Sequence, residues 1–344
     1  MAKKALRWDE MSKDDAPLDK LILQFDAFNR SEGKTPKTVT WYRTSLRLFM
    51  DYLIDSGVSP ILGQMSVELV REYVLHLQTR NRFEPHPYTP TRDQRLSPIS
   101  VQGYVRGLKA FFNWLYKEGY SEDHLLQRLN PPKAPRKLIE PLTDVELAAI
   151  TSAIDPQTSW GGRNMAMVIL FLDTGLRLSE LLTLDMKDLH LEEGYAKVMG
   201  KGQKERIVPF GSSAQKALMK YIYHFRPEAL NGERVFLNLD GRSMTETGLK
   251  LIFRRLAIVS GVTRLHMHLL RHTFAVNYLM NGGDVFTLQQ ILGHTTLEMV
   301  RRYVNLANAH VMIQHKKFSP VDRMNLRQIN RAVTFGRTTR KPQM

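Results

Sequence analysis

Between Pro17 and Gly119 apolar residues recur at intervals of three and four, the spacing of a single helix face. Leu18, Leu21, Ile22 and Phe25 predict a first helix. Thr35-Pro36 starts a second, with a capping hydroxyl followed by proline at the first helical position. It carries Val39, Tyr42, Leu46, Phe49, Met50 and Leu53 and stops near Gly57. Ser66 opens a third through Leu69, Tyr73, Leu75 and Leu77. Ser97-Pro98 opens a fourth, with Val101, Tyr104, Leu108, Phe111, Phe112 and Leu115, ending at Gly119. The prolines of Arg82-Phe-Glu-Pro-His-Pro-Tyr-Thr-Pro90 predict a loop between the third and fourth helices.

The pattern breaks at Asn130-Pro-Pro-Lys-Ala-Pro-Arg-Lys137, where three prolines and three positive charges mark a linker. Thr143-Asp-Val-Glu146 is a capping box that opens a second domain. There, helices surround one strand pair: Tyr195-Ala-Lys-Val-Met199 and Arg206-Ile-Val-Pro-Phe210 flank Gly200-Lys-Gly-Gln-Lys-Glu205, a hairpin with a glycine-rich turn. The expected plan is mainly α with a small β-sheet. A loose leader spans 1–15, a helical domain 16–129, a linker 130–140, a mixed α+β domain 141–320 and a basic tail 321–344. The tail has six basic residues and no acidic one from Arg323 onward.

Composition narrows the partners. At 344 residues, two cores are the natural prior. The longest purely apolar run, Met165 to Leu172, falls far short of the ~20 residues of a membrane span. The basic start, Met1 to Arg7, has no apolar stretch behind it to make a secretory signal. No membrane partner is expected, and a cytoplasmic location is. The absence of cysteine excludes disulfides, thiolate nucleophiles and cysteine-bound zinc. With 49 Lys and Arg against 34 Asp and Glu, the net charge of +15 favours a polyanion, most often nucleic acid. Lys37, Arg43, Arg47, Arg71, Arg106 and Lys109, on the polar faces of the helical domain, suit phosphate contacts, although each alone is also an ordinary surface charge.

The chemistry gathers late in the chain. His268-Leu-Leu-Arg271, Leu292-Gly-His294 and Tyr303 supply two histidines, an arginine and a tyrosine. A guanidinium binds a phosphate through two parallel hydrogen bonds, and a phenol oxygen can attack phosphorus and hold it covalently. Upstream, Arg177 in Asp173-Thr-Gly-Leu-Arg177-Leu-Ser-Glu180 follows a glycine that ends one helix, so it stands at the start of the next, where backbone N–H groups favour anions. Taken singly, Arg177 reads as paired with Glu180, Lys201 as a solvated turn residue, Tyr303 as a core aromatic and His272 as structural.

Taken together, five segments change this. Thr174-Gly-Leu-Arg-Leu-Ser-Glu-Leu181, Gly200-Lys-Gly-Gln-Lys-Glu-Arg206, His268-Leu-Leu-Arg-His-Thr-Phe-Ala275, Leu292-Gly-His294 and Arg301-Arg-Tyr303 follow one another as in the tyrosine recombinases, the integrase and Xer-like family, which the chain resembles over most of its length. The resemblance implies a helical core-binding (SAM-like) domain followed by the family's mixed α+β catalytic domain. It implies cutting and rejoining of duplex DNA through a 3′-phosphotyrosyl link, in integration, excision or resolution. Arg177 and Arg271 would clamp the scissile phosphate, Tyr303 attack it, Lys201 protonate the leaving 5′ oxygen, His268 assist proton transfer, His294 bond the phosphate and Glu180 support the site. No metal, nucleotide or other cofactor is implied. The implied partners are double-stranded DNA and further copies of the chain, four on two sites, with a directionality factor or second recombinase left open.

Some features depart from the compact members of that family. The loop over 82–96 and the tail are longer, and a separate arm-site reader of the phage-integrase type is not expected before the helical domain. Lys204 competes with Lys201 for the acid role; Lys201 is preferred because it heads the turn motif. Val304 to Phe318, with Leu306, Val311, Met312 and Ile313, would by resemblance reach a neighbouring copy. A type IB topoisomerase-like strand cleavage shares the chemistry, and a catalytically silent DNA-binding accessory protein shares the fold. The helical domain and the C-terminal segment favour recombination over the first, and the filled catalytic positions over the second.

Overall fold

The computed structural model describes residues 13–82, 92–133, 139–200, 204–294, 296, 297, 300, 303 and 315–323. The chain divides into two compact units, Met1–Lys137 and Leu138–Met344. The described residues are mainly helical with two small sheets. No helix among the described residues is long and apolar enough to cross a membrane.

The first unit holds helices α1 (Leu18–Ser31), α2 (Pro36–Asp55), α3 (Val67–Thr79) and α4 (Pro98–Lys117). Thr35, Ser66 and Ser97 each accept a backbone N–H from three residues on, which satisfies one of the orphan donors of a helix start. Leu21, Phe25, Leu46, Phe49, Leu53, Tyr73, Leu77, Leu108 and Phe111 form the core. Phe25 meets Phe111 edge-on at 5.4 Å and Phe49 meets Tyr73 at 5.0 Å, geometries that suit the ring quadrupoles. Gly107 lets α4 approach α2: a Cβ there would lie 2.8 Å from the Cβ of Ser45.

Two expectations for this unit are corrected. Leu75 is 62% exposed, because the inner face of α3 runs through Val70, Tyr73 and Leu77. The segment expected as a loop is flanked by two short antiparallel strands, β1 (Asn81–Arg82) and β2 (Arg92–Arg95); residues 83–91 lie outside the described residues.

The second unit begins with α5 (Asp144–Ser152), whose capping box at Thr143 and Glu146 is formed. Arg264 donates to both oxygens of Glu146 and to the carbonyls of Glu140 and Pro141, which fixes the entry to this unit. Then come α6 (Ser159–Thr174), α7 (Leu178–Thr183), β3 (Leu189–His190), β4 (Tyr195–Met199), β5 (Glu205–Pro209), α8 (Ser212–Lys220), α9 (Glu246–Val259), α10 (Met267–Met280) and α11 (Val285–Leu292). The expected hairpin is present, with Ala196 opposite Val208 and Val198 opposite Arg206. It carries a third, two-residue strand, so the sheet runs β3-β4-β5 and is antiparallel throughout. Helices α6 and α10 are buried on most of their circumference and pack on each other at the centre of the unit.

Candidate active site

Three arginines from three elements converge on the end of α11. Arg177 sits at the start of α7, Arg206 on β5 and Arg271 on α10. The last carbonyls of a helix have no intrahelical partner. Here each of three successive ones takes a different arginine: Ile291 accepts from Arg206 Nε, Leu292 from Arg271 Nη2 and Gly293 from Arg177 Nη2, each at 2.8 Å. The partial negative charge of a helix C-terminus favours these cations. Arg271 Nη1 donates also to the carbonyl of Gly175, which ends α6. Gly175 and Gly293 both have positive φ, 60° and 62°. A Cβ at Gly175 would run into the Phe274 ring, and one at Gly293 would lie 3.0 Å from Arg206 Cδ and Nε.

Glu180 is the counter-ion at the centre, 2% exposed. Burial pushes its carboxyl up, yet the hydrogen bonds from Arg206 and then Arg177 outweigh this and hold it at about 2. The backbone N–H of Arg177 donates to Glu180 Oε2 at 2.8 Å, so the anion at this helix start is the protein's own carboxylate. The i, i+3 pairing of Arg177 with Glu180, read from the sequence as the ordinary role, is formed at 2.7 Å.

Arg271 is 3% exposed, and burial, with Arg177 nearby, lowers its pKa to about 10. Its Nη2 donates to His294 Nε2 at 2.9 Å. A guanidinium can only donate, so Nε2 is the acceptor and the proton of neutral His294 rests on Nδ1. That nitrogen is buried and has no hydrogen-bond partner among the described residues. Burial, then Arg271, Arg177 and Arg206, lowers the His294 pKa to about 4, so the ring is neutral at pH 7.

Tyr303, 7% exposed, lies between two imidazoles. The His294 ring is nearly parallel to it, with centroids 6.1 Å apart, and the His272 ring is tilted at 5.3 Å. His272 Nε2 in turn donates to the carbonyl of Ile139, and the hydroxyl of Thr273 accepts the N–H of Leu142. His268 is exposed on the first turn of α10. The protein crowded around its ring, then Arg271, His266 and His272, keeps its pKa below the usual histidine value.

The structure thus brings Arg177, Glu180, His268, Arg271, His294 and Tyr303 together. Lys201 lies outside the described residues, as do Leu306, Val311, Met312, Ile313 and positions 324–344. Lys204 is exposed at the foot of β5. In the first unit, Arg43 is paired with Asp26 at 2.8 Å, Arg71 with Glu68 at 3.3 Å, and Lys109 donates to the carbonyl of Leu129 at 2.6 Å. Lys37, Arg47 and Arg106 are exposed. Two residues were missed as parts of the site, Arg206 and His272. The available signal for Arg206 was strand alternation: it shares a face with buried Val208, while Ile207 between them is 59% exposed.

A helical unit followed by one in which a small antiparallel sheet and buried helices gather arginines, histidines and a tyrosine has the architecture of a tyrosine recombinase. Residues 140–310 match the phage integrase family. The chain is 31% identical over 313 residues to tyrosine recombinase XerC of Oceanobacillus iheyensis, covering 88% of this chain and 98% of that one. It is 34% identical over 303 residues to tyrosine recombinase XerD of Listeria monocytogenes, covering 84% and 94%. In fold it is similar to the XerH site-specific recombinase solved in a post-cleavage complex on its palindromic difH substrate, with a TM-score of 0.65 at 21% identity over 86% of this chain and 83% of that one. The chain belongs to the phage integrase family and is a site-specific tyrosine recombinase.

Proposed function

We propose that the gathered residues cut and rejoin duplex DNA as follows. The Tyr303 hydroxyl oxygen bonds to the scissile phosphorus while the bond from phosphorus to the 5′ oxygen breaks, leaving a 3′-phosphotyrosyl link. The phenol proton passes to His268, whose lowered pKa keeps it unprotonated and able to accept. Lys201 gives the proton that caps the departing 5′-hydroxyl. Arg177 and Arg271 hold the non-bridging oxygens, where charge builds in the transition state, and His294 donates to the phosphate from Nδ1. Glu180 fixes Arg177. Attack of a second strand's 5′-hydroxyl on the phosphotyrosine reverses the protons and completes the exchange. The diester energy is kept in the link, so neither ATP nor a metal ion enters a step.

The observation that carries this reading is the ordered set Arg271, His294 and Tyr303. One hydrogen bond fixes the imidazole and leaves Nδ1 as a free donor, and the tyrosine ring lies parallel beside it. The first unit supplies DNA contacts through Lys37, Arg43, Arg47, Arg106 and Lys109, and affinity falls steeply with salt. Four copies act on two sites, linked through 304–318, in the cytoplasm.

Nicked duplexes tiled across the DNA flanking the gene test this. Incubation in EDTA without ATP is expected to yield a protein–DNA adduct that survives denaturation and carries the DNA by its 3′ end. The absence of an adduct on every duplex, or attachment through a 5′ phosphate, contradicts the reading.

A further inference from the structure

Arg206 has no role in the scheme above, yet its side chain makes three hydrogen bonds in the site, as many as that of Arg271. Its Nη1 donates to Glu180 Oε1 at 2.7 Å and its Nη2 to Oε2 at 2.8 Å, the two parallel bonds of a guanidinium–carboxylate fork. Its Nε is held by Ile291, so all three nitrogens are engaged inside the protein. The side chain is 12% exposed, against 29% for Arg177. Arg177 is therefore the more open of the two arginines that meet Glu180.

The two arginines share one carboxylate unequally. Arg206 occupies its two-oxygen face, which leaves Arg177 a single side-chain bond, from Nη1 to Oε1. Nη2 of Arg177 is turned to the carbonyl of Gly293, whose backbone packs against the Arg206 side chain. Without Arg206, the buried charge of Glu180 would have Arg177 as its remaining guanidinium partner. The strongest arrangement would then be a fork between those two, with Arg177 drawn inward.

We propose that Arg206 is a positioning residue: by filling the two-oxygen face of Glu180, it keeps Arg177 from being captured there and holds that guanidinium open to the scissile phosphate. This rests on the assignment of Arg177 to the phosphate. Arg206 acts through Arg177 and touches no reacting atom.

The test measures adduct formation on a nicked duplex cut by the wild-type chain, at saturating DNA and per DNA-bound complex, so that unfolded protein is not scored. Arg206→Gln and Arg206→Lys are each expected to slow the step ~10-fold or more, with DNA affinity within about threefold. Because the effect runs through Arg177, Arg177→Ala/Arg206→Gln is expected to be no slower than Arg177→Ala, within about threefold. A general loosening of the site would instead multiply the two losses. Wild-type rates in both Arg206 variants overturn the proposal. So does a double variant slower than Arg177→Ala by the whole Arg206 factor, or loss of DNA binding in both Arg206 variants. If Arg177→Ala itself reacts at the wild-type rate, the assignment of Arg177 fails first. A slow Arg177→Ala beside unaffected Arg206 variants removes only the role given to Arg206.

Discussion

The two units fill their interiors differently. Among the described residues of the first, Asn29 and Ser45 are the polar side chains in an otherwise apolar and aromatic core. In the second, Arg163, Thr174, Glu180, Arg271, His272, Thr273, His294 and Ser319 are buried among the hydrophobic residues. Burying a charge is costly unless it is paired and hydrogen-bonded. The second unit meets that cost with carbonyls: those of the helix ends at Gly175, Ile291, Leu292 and Gly293 hold Arg177, Arg206 and Arg271, that of Leu237 holds Arg163, and Glu180 balances Arg177 and Arg206. A core of this kind stabilises less than an apolar one of equal volume, but it fixes donors to a fraction of an ångström. The first unit is organised by packing and the second by positioning.

That contrast is most exposed at Arg271. Arg271→Ala removes a buried donor and leaves His294 and two carbonyls without it, so a loss of about 3–5 kcal/mol is expected in thermal or denaturant unfolding of the second unit. Adduct formation is expected to fall ~10²-fold or more. A variant with full stability and full rate would dissolve the contrast.

Acid separates the units next. Glu180 titrates at about 2 against an ordinary 4.5, and His294 at about 4 against 6.5. Both groups are depressed, so their contributions are present above the unfolded values and lost as the unfolded chain takes up protons first. For His294 the loss runs from pH 6.5 down to about 4, and for Glu180 from 4.5 down to about 2. Each is on the order of 3 kcal/mol. Hydrogen exchange read peptide by peptide from pH 7 to pH 4 is expected to open the second unit before the first. The opposite order would show that the polar core is not what acid attacks.

The smallest effect on chemistry is expected in the first unit. Leu108 is fully buried, and Leu108→Ala is expected to cost ~3 kcal/mol while leaving the cleavage rate of the bound complex unchanged. A slower bound complex would break the contrast by showing that packing there reaches the chemistry.

The same contrast governs how much was legible in the sequence. The first unit follows short-range rules, so Thr35-Pro36, Ser66 and Ser97-Pro98 mark its helix starts and the periodic apolar residues mark most of its core. Leu75 misled because α3 offers two apolar stripes and only contact with its neighbours selects Val70. The second unit is less readable. Helix α10 is buried nearly all round and so shows no clean period, and β3 is two residues that exist because β4 lies beside them. Arg177, Arg271, His294 and Tyr303 were legible through their spacing and company. Arg206 was not, since an arginine opening Arg-Ile-Val reads as the polar edge of a strand; its partners, Glu180 and Ile291, lie 26 and 85 residues away.

The proposed nucleophile of this site is Tyr303. Tyr303→Phe and the wild-type chain, compared on the same nicked duplex, test it most directly. The ring contacts with His272 and His294 need no hydroxyl, so the variant is expected to fold and bind DNA as the wild type does while forming no adduct that survives denaturation. A denaturation-resistant adduct formed by Tyr303→Phe would contradict the account.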